Sequence, residues 1–196
     1  MQNEIEAKYL HVDFAVVRRK LKQTGAHCTQ PMFTMKRTTY DTPDRQLAKK
    51  HGWIRLRQEQ GKISLVYKQV DAYDIDKVFE AAVAVDNYES AQGFLRACGF
   101  EEKSQAVTRR EIWKLGEVEI CLDEWPWLDS YIEIEGPNES AVQSVAEALG
   151  FTWDNAQFGP VEVAYMDQYN CTVSEVNNHD VFDFDMPLPE WAKKKQ

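Results

Sequence analysis

Glu4, Glu6 and Lys8 alternate with Ile5, Ala7 and Tyr9 near the start of this 196-residue sequence. The same alternation recurs where Arg55 and Arg57 stand opposite Ile54 and Leu56, and where Glu133 and Glu135 stand opposite Ile132 and Ile134. Successive side chains of a strand point to opposite faces, so each run has one charged face and one apolar face. Arg37 falls on a face with Thr39 and Asp41, Lys68 with Ser64 and Val66, and Glu119 with Asp123. The signs are sorted: the first and last of these strands carry mainly carboxylates, the middle ones mainly guanidinium and ammonium groups. Two carboxylate pairs brought together repel strongly unless a cation sits between them. Hard divalent ions such as Mg²⁺ or Mn²⁺ take oxygen ligands and keep positions open for phosphate oxygens. Arginine and lysine are the side chains that a polyphosphate needs, arginine through bidentate contacts. The alternative is a half-exposed antiparallel sheet whose charged faces lie in water. A solvated face usually mixes signs within a strand, which favours ion pairs across strands, and the sorting weighs against that alternative.

The elements that must position these residues follow from periodicity. Residues 3–10 read as a strand. Asp13 to Thr24 has helical spacing, with Asp13 as N-cap and Gly25 as stop. Residues 34–41 read as a strand closed by the turn residues Asp41, Thr42, Pro43 and Asp44. The runs from Trp53 to Glu59 and from Lys62 to Gln69 are joined at Gln60 and Gly61, which suggests a hairpin. Further strands are expected at 78–85, 107–115, 117–123 and 130–135, with helices at 88–98 and 139–149. Strands with charge on one face and aliphatic residues on the other can close into a barrel with charge inside if helices cover the outside, and three helical segments are available.

Composition narrows the function classes. With 32 Asp and Glu against 23 Lys and Arg, the net charge is -9, so the chain lacks the basic field of a nucleic-acid binder. Any bound anion must then be met by a local cluster of cations. The four cysteines show no CxxC spacing, the segment MQNEIEAKYL has no apolar signal core, and no apolar run is long enough to span a bilayer. A cytoplasmic protein with reduced thiols and no membrane partner is expected, as a monomer or homodimer.

In family order, Glu4-Ile5-Glu6-Ala7-Lys8 resembles the ExExK signature that opens CYTH proteins, the family of class IV adenylyl cyclases and thiamine triphosphatases. Thr39-Tyr40-Asp41-Thr42-Pro43, Arg55-Leu56-Arg57, Lys68, Glu80, Arg110 before Trp113, Asp123 and Glu133-Ile134-Glu135 follow in that order. The resemblance implies an α+β fold: a closed eight-stranded antiparallel β-barrel forming a tunnel, with helices packed outside. It implies a CYTH domain over residues 1–170; the segment 171–196, acidic, then proline-punctuated, then basic, reads as a C-terminal tail, either partly mobile or docked through Phe182, Phe184 and Trp191. It implies Mg²⁺ or Mn²⁺ held by Glu4, Glu6, Glu133 and Glu135, with Asp123 as a further ligand. Lys8, Arg37, Arg55, Arg57, Lys68 and Arg110 would hold a triphosphate, with Arg109 standing in for a lysine that many relatives carry. Glu4, Glu6, Lys8, Glu133 and Glu135 would form the catalytic set. The implied activity is metal-dependent hydrolysis of inorganic tripolyphosphate, a nucleoside triphosphate or thiamine triphosphate. Adenylyl cyclase chemistry and phosphate binding without turnover are the alternatives.

Trp53, Trp125 and Trp127 are read as packing residues, Trp53 with an alternative role at the tunnel mouth. Glu80 and Glu119 are open between tunnel and solvent. The four histidines have no ligand spacing and are assigned no metal.

Overall fold

The computed structural model describes residues 2–70 and 78–195. In chain order the elements are β1 (Gln2–Glu4), β2 (Glu6–Tyr9), α1 (Phe14–Gln23), β3 (His27–Asp41), β4 (Gly52–Glu59), β5 (Lys62–Val70) and β6 (Val78–Val85). They continue with α2 (Tyr88–Ala97), β7 (Glu101–Leu115), β8 (Val118–Glu124), β9 (Tyr131–Glu135) and α3 (Glu139–Ala148). The last elements are α4 (Glu162–Gln168), α5 (Val173–Asn177) and β10 (Val181–Phe182).

Local signals act as read. The Asp13 carboxylate accepts from the backbone N–H groups of Ala15 and Val16 and starts α1. Gln60 and Gly61 both take positive φ, 45° and 78°, which a tight two-residue hairpin requires. That turn fixes the β4–β5 register at Glu59↔Lys62 and so places Arg57 opposite Ser64 and Trp53 opposite Lys68.

Nine strands form one strongly curled antiparallel sheet in the order β1-β6-β5-β4-β3-β7-β8-β9-β2, and β10 adds to β7 in parallel. β1 and β2 are two parts of one segment separated only by Ile5, so the sheet has eight antiparallel positions. The closed ring expected from the resemblance is an open path of ladders whose two ends both lie on that segment. The physical reason is the split of labour at Ile5: residues 2–4 pair with β6 and residues 6–9 pair with β9.

The apolar faces point outward. Ala7, Tyr9, Ile120, Leu122, Ile132 and Ile134 are buried under α1 and α3, against Val17, Leu21, Val142 and Leu149. On the other flank Tyr40 and Leu56 are covered by Tyr88, Ala91 and Leu95 of α2. Burial of such side chains contributes about 1.5–3 kcal/mol each, which fixes the helices outside and leaves the charged faces to the interior.

The residues from Cys171 onward are docked, not loose. Phe182 pairs with Ala106 and packs in a third cluster with Trp125, Tyr131, Tyr165, Tyr169 and Ala192. Trp191 sits edge-on to Tyr165, Tyr169 and Trp127. Phe182 and Trp191 thus anchor this segment against the sheet and α4.

Candidate functional site

Inward faces of the strands meet in a cavity of about 480 Å³. Glu4, Glu6 and Lys8 reach it from β1 and β2, Arg37 from β3, and Trp53, Arg55 and Arg57 from β4. Lys68, Glu80, Arg110, Glu119, Glu133 and Glu135 complete the charged lining. One cavity thus gathers residues as far apart in sequence as 4 and 135, because strands share faces by parity and the sheet curls them together.

Arginines dominate one side. Arg37 and Arg57 are directly opposed across β3 and β4. Arg37 is 8% exposed and donates to Thr108 Oγ1 at 2.8 Å, and its guanidinium lies 4.6 Å over the Trp125 ring. Burial, with Arg55, Arg110 and Arg57 nearby, pushes Arg37 down to about 9. Burial and Arg57 push Arg55 down to about 10. The Nε–H groups of Arg37, Arg55 and Arg57 have no partner among the described residues, although buried donors are nearly always paired. The acidic contacts of Arg55 and Arg57 are Glu80 at 3.9 Å and Glu59 at 3.2 Å.

Carboxylates and lysines fill the other side. Lys8 is 1% exposed and contacts Glu6 at 2.6 Å and Glu133 at 3.3 Å. Burial pulls its ammonium down, but Glu6 and Glu133 outweigh this and hold it above the usual range. Burial likewise lifts Glu133, and Lys8 and Arg110 overcome it and hold that carboxyl well below its usual range. Lys68 bridges Glu4 at 2.6 Å and Glu80 at 3.1 Å. Burial, partly opposed by Lys68, lifts Glu4 to about 7.

Glu6, Glu135 and Glu119 are direct cross-strand neighbours, Glu6↔Glu135 and Glu119↔Glu135. Burial, with Glu6 and Glu119 beside it, raises Glu135. Like charges directly opposed across strands destabilise a sheet, and hard oxygen donors in this arrangement suit a divalent cation. Among the described residues no three His, Cys, Asp or Glu side chains are already gathered as a metal cage. The lysines stand among the carboxylates instead.

Two expected site residues lie elsewhere. Asp123 is 0% exposed and sits behind Arg110, which binds both its oxygens at 2.7 Å and also contacts Glu133 at 2.5 Å. Burial lifts Asp123 to about 6, so it is ionised at neutral pH against Arg110. It positions Arg110 and does not reach the cavity. Arg109, one residue out of phase, points to the outer face, where it contacts Glu124 at 3.2 Å and stacks 4.3 Å over Phe184. Glu80, Glu119 and Trp53, left open by the sequence, all line the cavity.

Other lining residues were missed. Glu162 at the start of α4 is 9% exposed, and its carboxyl is raised by burial. Lys103 and Trp125 also face the cavity. The helical spacing of Val161, Ala164, Tyr165 and Gln168 was the available signal for α4. On the outside, His11 Nδ1 lies 2.9 Å from Asp129 and Nε2 2.6 Å from Asp167, tying the end of β2 to α4.

A family model described as the CYTH domain matches residues 2–156. No curated protein matches the sequence. Among solved structures, a Vibrio parahaemolyticus protein named as a candidate adenylate cyclase is 21% identical with a TM-score of 0.71, covering 83% of this chain and 97% of its own. A Pyrococcus horikoshii protein is 22% identical with a TM-score of 0.66, covering 78% and 93%. A Hippeastrum protein, described as a candidate adenylyl cyclase with a dominant triphosphatase activity, is 14% identical with a TM-score of 0.58, covering 81% and 91%. At these identities the likeness is one of fold. No helix among the described residues is long and apolar enough to cross a membrane.

Proposed function

The chain belongs to the CYTH domain family, and from that premise we propose that it hydrolyses a triphosphate with the help of Mg²⁺ or Mn²⁺ in the charged cavity. The observation that carries this reading is the set of buried guanidiniums. Arg37, Arg55 and Arg57 crowd one another, two of them are pushed down by burial and mutual repulsion, and all three have an Nε–H without a partner among the described residues. A bound polyanion would relieve the repulsion and supply acceptors at once.

Glu6, Glu119 and Glu135, with Glu4 and Glu133 beside them, would hold the divalent cation, which would supply Lewis-acid chemistry to the bound phosphates. Arg37, Arg55, Arg57 and Arg110 orient the triphosphate and offset charge spread over its oxygens as the terminal bond breaks. Lys8 and Lys68, held by carboxylates in the free protein, add two more donors at the cavity wall. Asp123 keeps the Arg110 fork aimed. The dominant triphosphatase activity attributed to the Hippeastrum neighbour supports hydrolysis. The cyclase name of the Vibrio neighbour supports the second reading, attack of a ribose hydroxyl on the α-phosphorus.

The test is turnover of purified protein with Mg²⁺ or Mn²⁺ and tripolyphosphate, adenosine triphosphate or thiamine triphosphate, with products identified. Orthophosphate release supports hydrolysis, and cyclic AMP with pyrophosphate supports the cyclase. Tight binding with no product under either metal would leave a binding module. Activity that survives both Glu6→Ala and Glu135→Ala would remove the carboxylates from the metal role.

A further inference from the structure

The cavity is not charged throughout. Trp125 after β8, Val161 before α4, Val173 and Val176 on α5, and Phe182 on β10 form an apolar wall at the end where β7 begins and β2 stops. Four of these five residues lie beyond residue 156, where the family match ends. Arg37 stacks on Trp125 at 4.6 Å, so this wall adjoins the guanidinium cluster directly.

An inorganic tripolyphosphate carries oxygens on every side and gains nothing from aliphatic surface. Its oxygens would lose water there with no hydrogen bond in return. An organic group would instead gain by covering that surface. The volume of about 480 Å³ falls in the ~300–1,000 Å³ range of sites that take drug-sized organic ligands. Lys103 and Glu162 at the same end offer one donor and one acceptor to ring heteroatoms.

We propose that the C-terminal segment builds a subsite for an organic group, so that the preferred substrate is a triphosphate monoester bearing a flat ring system, not inorganic tripolyphosphate. This rests on the triphosphate reading above and narrows it. The segment from Val161 to Phe182 is then a specificity element: it selects by what is attached to the α-phosphate while the barrel strands hold the phosphates.

The experiment compares adenosine triphosphate, thiamine triphosphate and tripolyphosphate on wild type, Val173→Asp and Phe182→Leu. Val173 is the first residue of α5, where an acidic side chain suits the helix dipole, so Val173→Asp changes the wall without opposing the helix. Phe182→Leu keeps an apolar anchor for β10. The expected result is a wild-type kcat/KM at least roughly tenfold higher for one of the esters than for tripolyphosphate. Each variant should lower that ratio severalfold while leaving the tripolyphosphate value within about twofold. Calorimetric binding should show a more negative heat-capacity change for the preferred ester than for tripolyphosphate, the mark of apolar burial. Equal or better use of tripolyphosphate by the wild type, or variants that weaken all three ligands alike, would overturn the proposal and leave triphosphate hydrolysis standing. Selective ester binding without any turnover would support the subsite and refute hydrolysis.

Discussion

Replacing Arg37 with methionine should stabilise the fold and weaken the site. Arg37 is 8% exposed, has no carboxylate partner among the described residues, and is pushed down from the usual guanidinium range to about 9, first by burial and then by Arg55, Arg110 and Arg57. A folded-state pKa below the unfolded value means that the protonated form is penalised, so the penalty is present throughout the neutral range and fades only as pH rises past about 9. A depression of this size corresponds to on the order of 4 kcal/mol. Against this stand the hydrogen bond to Thr108, about 1–2 kcal/mol, and the stacking on Trp125, about 1 kcal/mol. The balance favours Arg37→Met by roughly 1–2 kcal/mol, or about 3–6 °C in Tm. Thermal unfolding with and without Mg²⁺ and tripolyphosphate reads both effects. Ligand at a hundredfold excess over Kd should raise wild-type stability by about 2.7 kcal/mol, and the variant should lose most of that rise. An Arg37→Met protein destabilised by more than 1 kcal/mol, or one still stabilised by tripolyphosphate as the wild type is, would refute the reasoning.

Arg109→Ala should change triphosphate affinity by less than about twofold, whereas Arg110→Ala should lower it by roughly a hundredfold, since only Arg110 faces the cavity; calorimetry on both variants decides the strand parity. Glu133→Gln leaves Lys8 and Arg110 short of a buried counter-charge and should cost about 3–5 kcal/mol in denaturant unfolding. Because the Glu133 carboxyl is held low, its stabilisation is present above the unfolded value of about 4.5 and is lost as pH falls below it. Its contribution should vanish from acid titrations of the Gln variant. Both ring nitrogens of His11 face carboxylates, which raises its pKa above 6.5. Its contribution is complete below that value and lost as pH rises through the folded-state value, and stays under about 1 kcal/mol because the pair is exposed. An NMR titration of His11 at or below 6.5 would contradict the contact.

Much of the architecture was legible because local chemistry and tertiary role agree. Asp13, Gly25 and the Gln60-Gly61 turn act where they stand, and alternation put Glu4, Glu6, Arg55, Arg57, Glu133 and Glu135 on inward faces. The first half of β3 was missed because its ladder is broken between Cys28 and Gln30 and again between Gln30 and Phe33, and the first half of β7 because the ladder shifts between Thr39 and Tyr40, which interrupts the period-two pattern. Asp123 shares its face with Glu119, yet face does not report depth: one lines the cavity and the other lies behind Arg110. Arg109 was legible and misjudged, since parity alone sets it opposite Arg110. The C-terminal wall was illegible for a different reason. Its members Trp125 and Phe182 stand 57 positions apart, and no short window along the chain contains both.

The split at Ile5 sets the order in which the molecule can be completed during synthesis. The segment 2–9 carries Glu4, Glu6 and Lys8, yet Lys8 pairs with Glu133 and Glu6 with Glu135. At roughly 5–20 residues per second, the ribosome needs about 7–27 s to make the 135 residues up to the far edge of that ladder. Closure is therefore a late, long-range event, of the kind that slows folding. A segment waiting that long with an unpaired backbone is an aggregation hazard if it is apolar. This one alternates carboxylate and ammonium with its aliphatic residues, so the charges placed for the cavity also keep the nascent edge from pairing with the wrong partner.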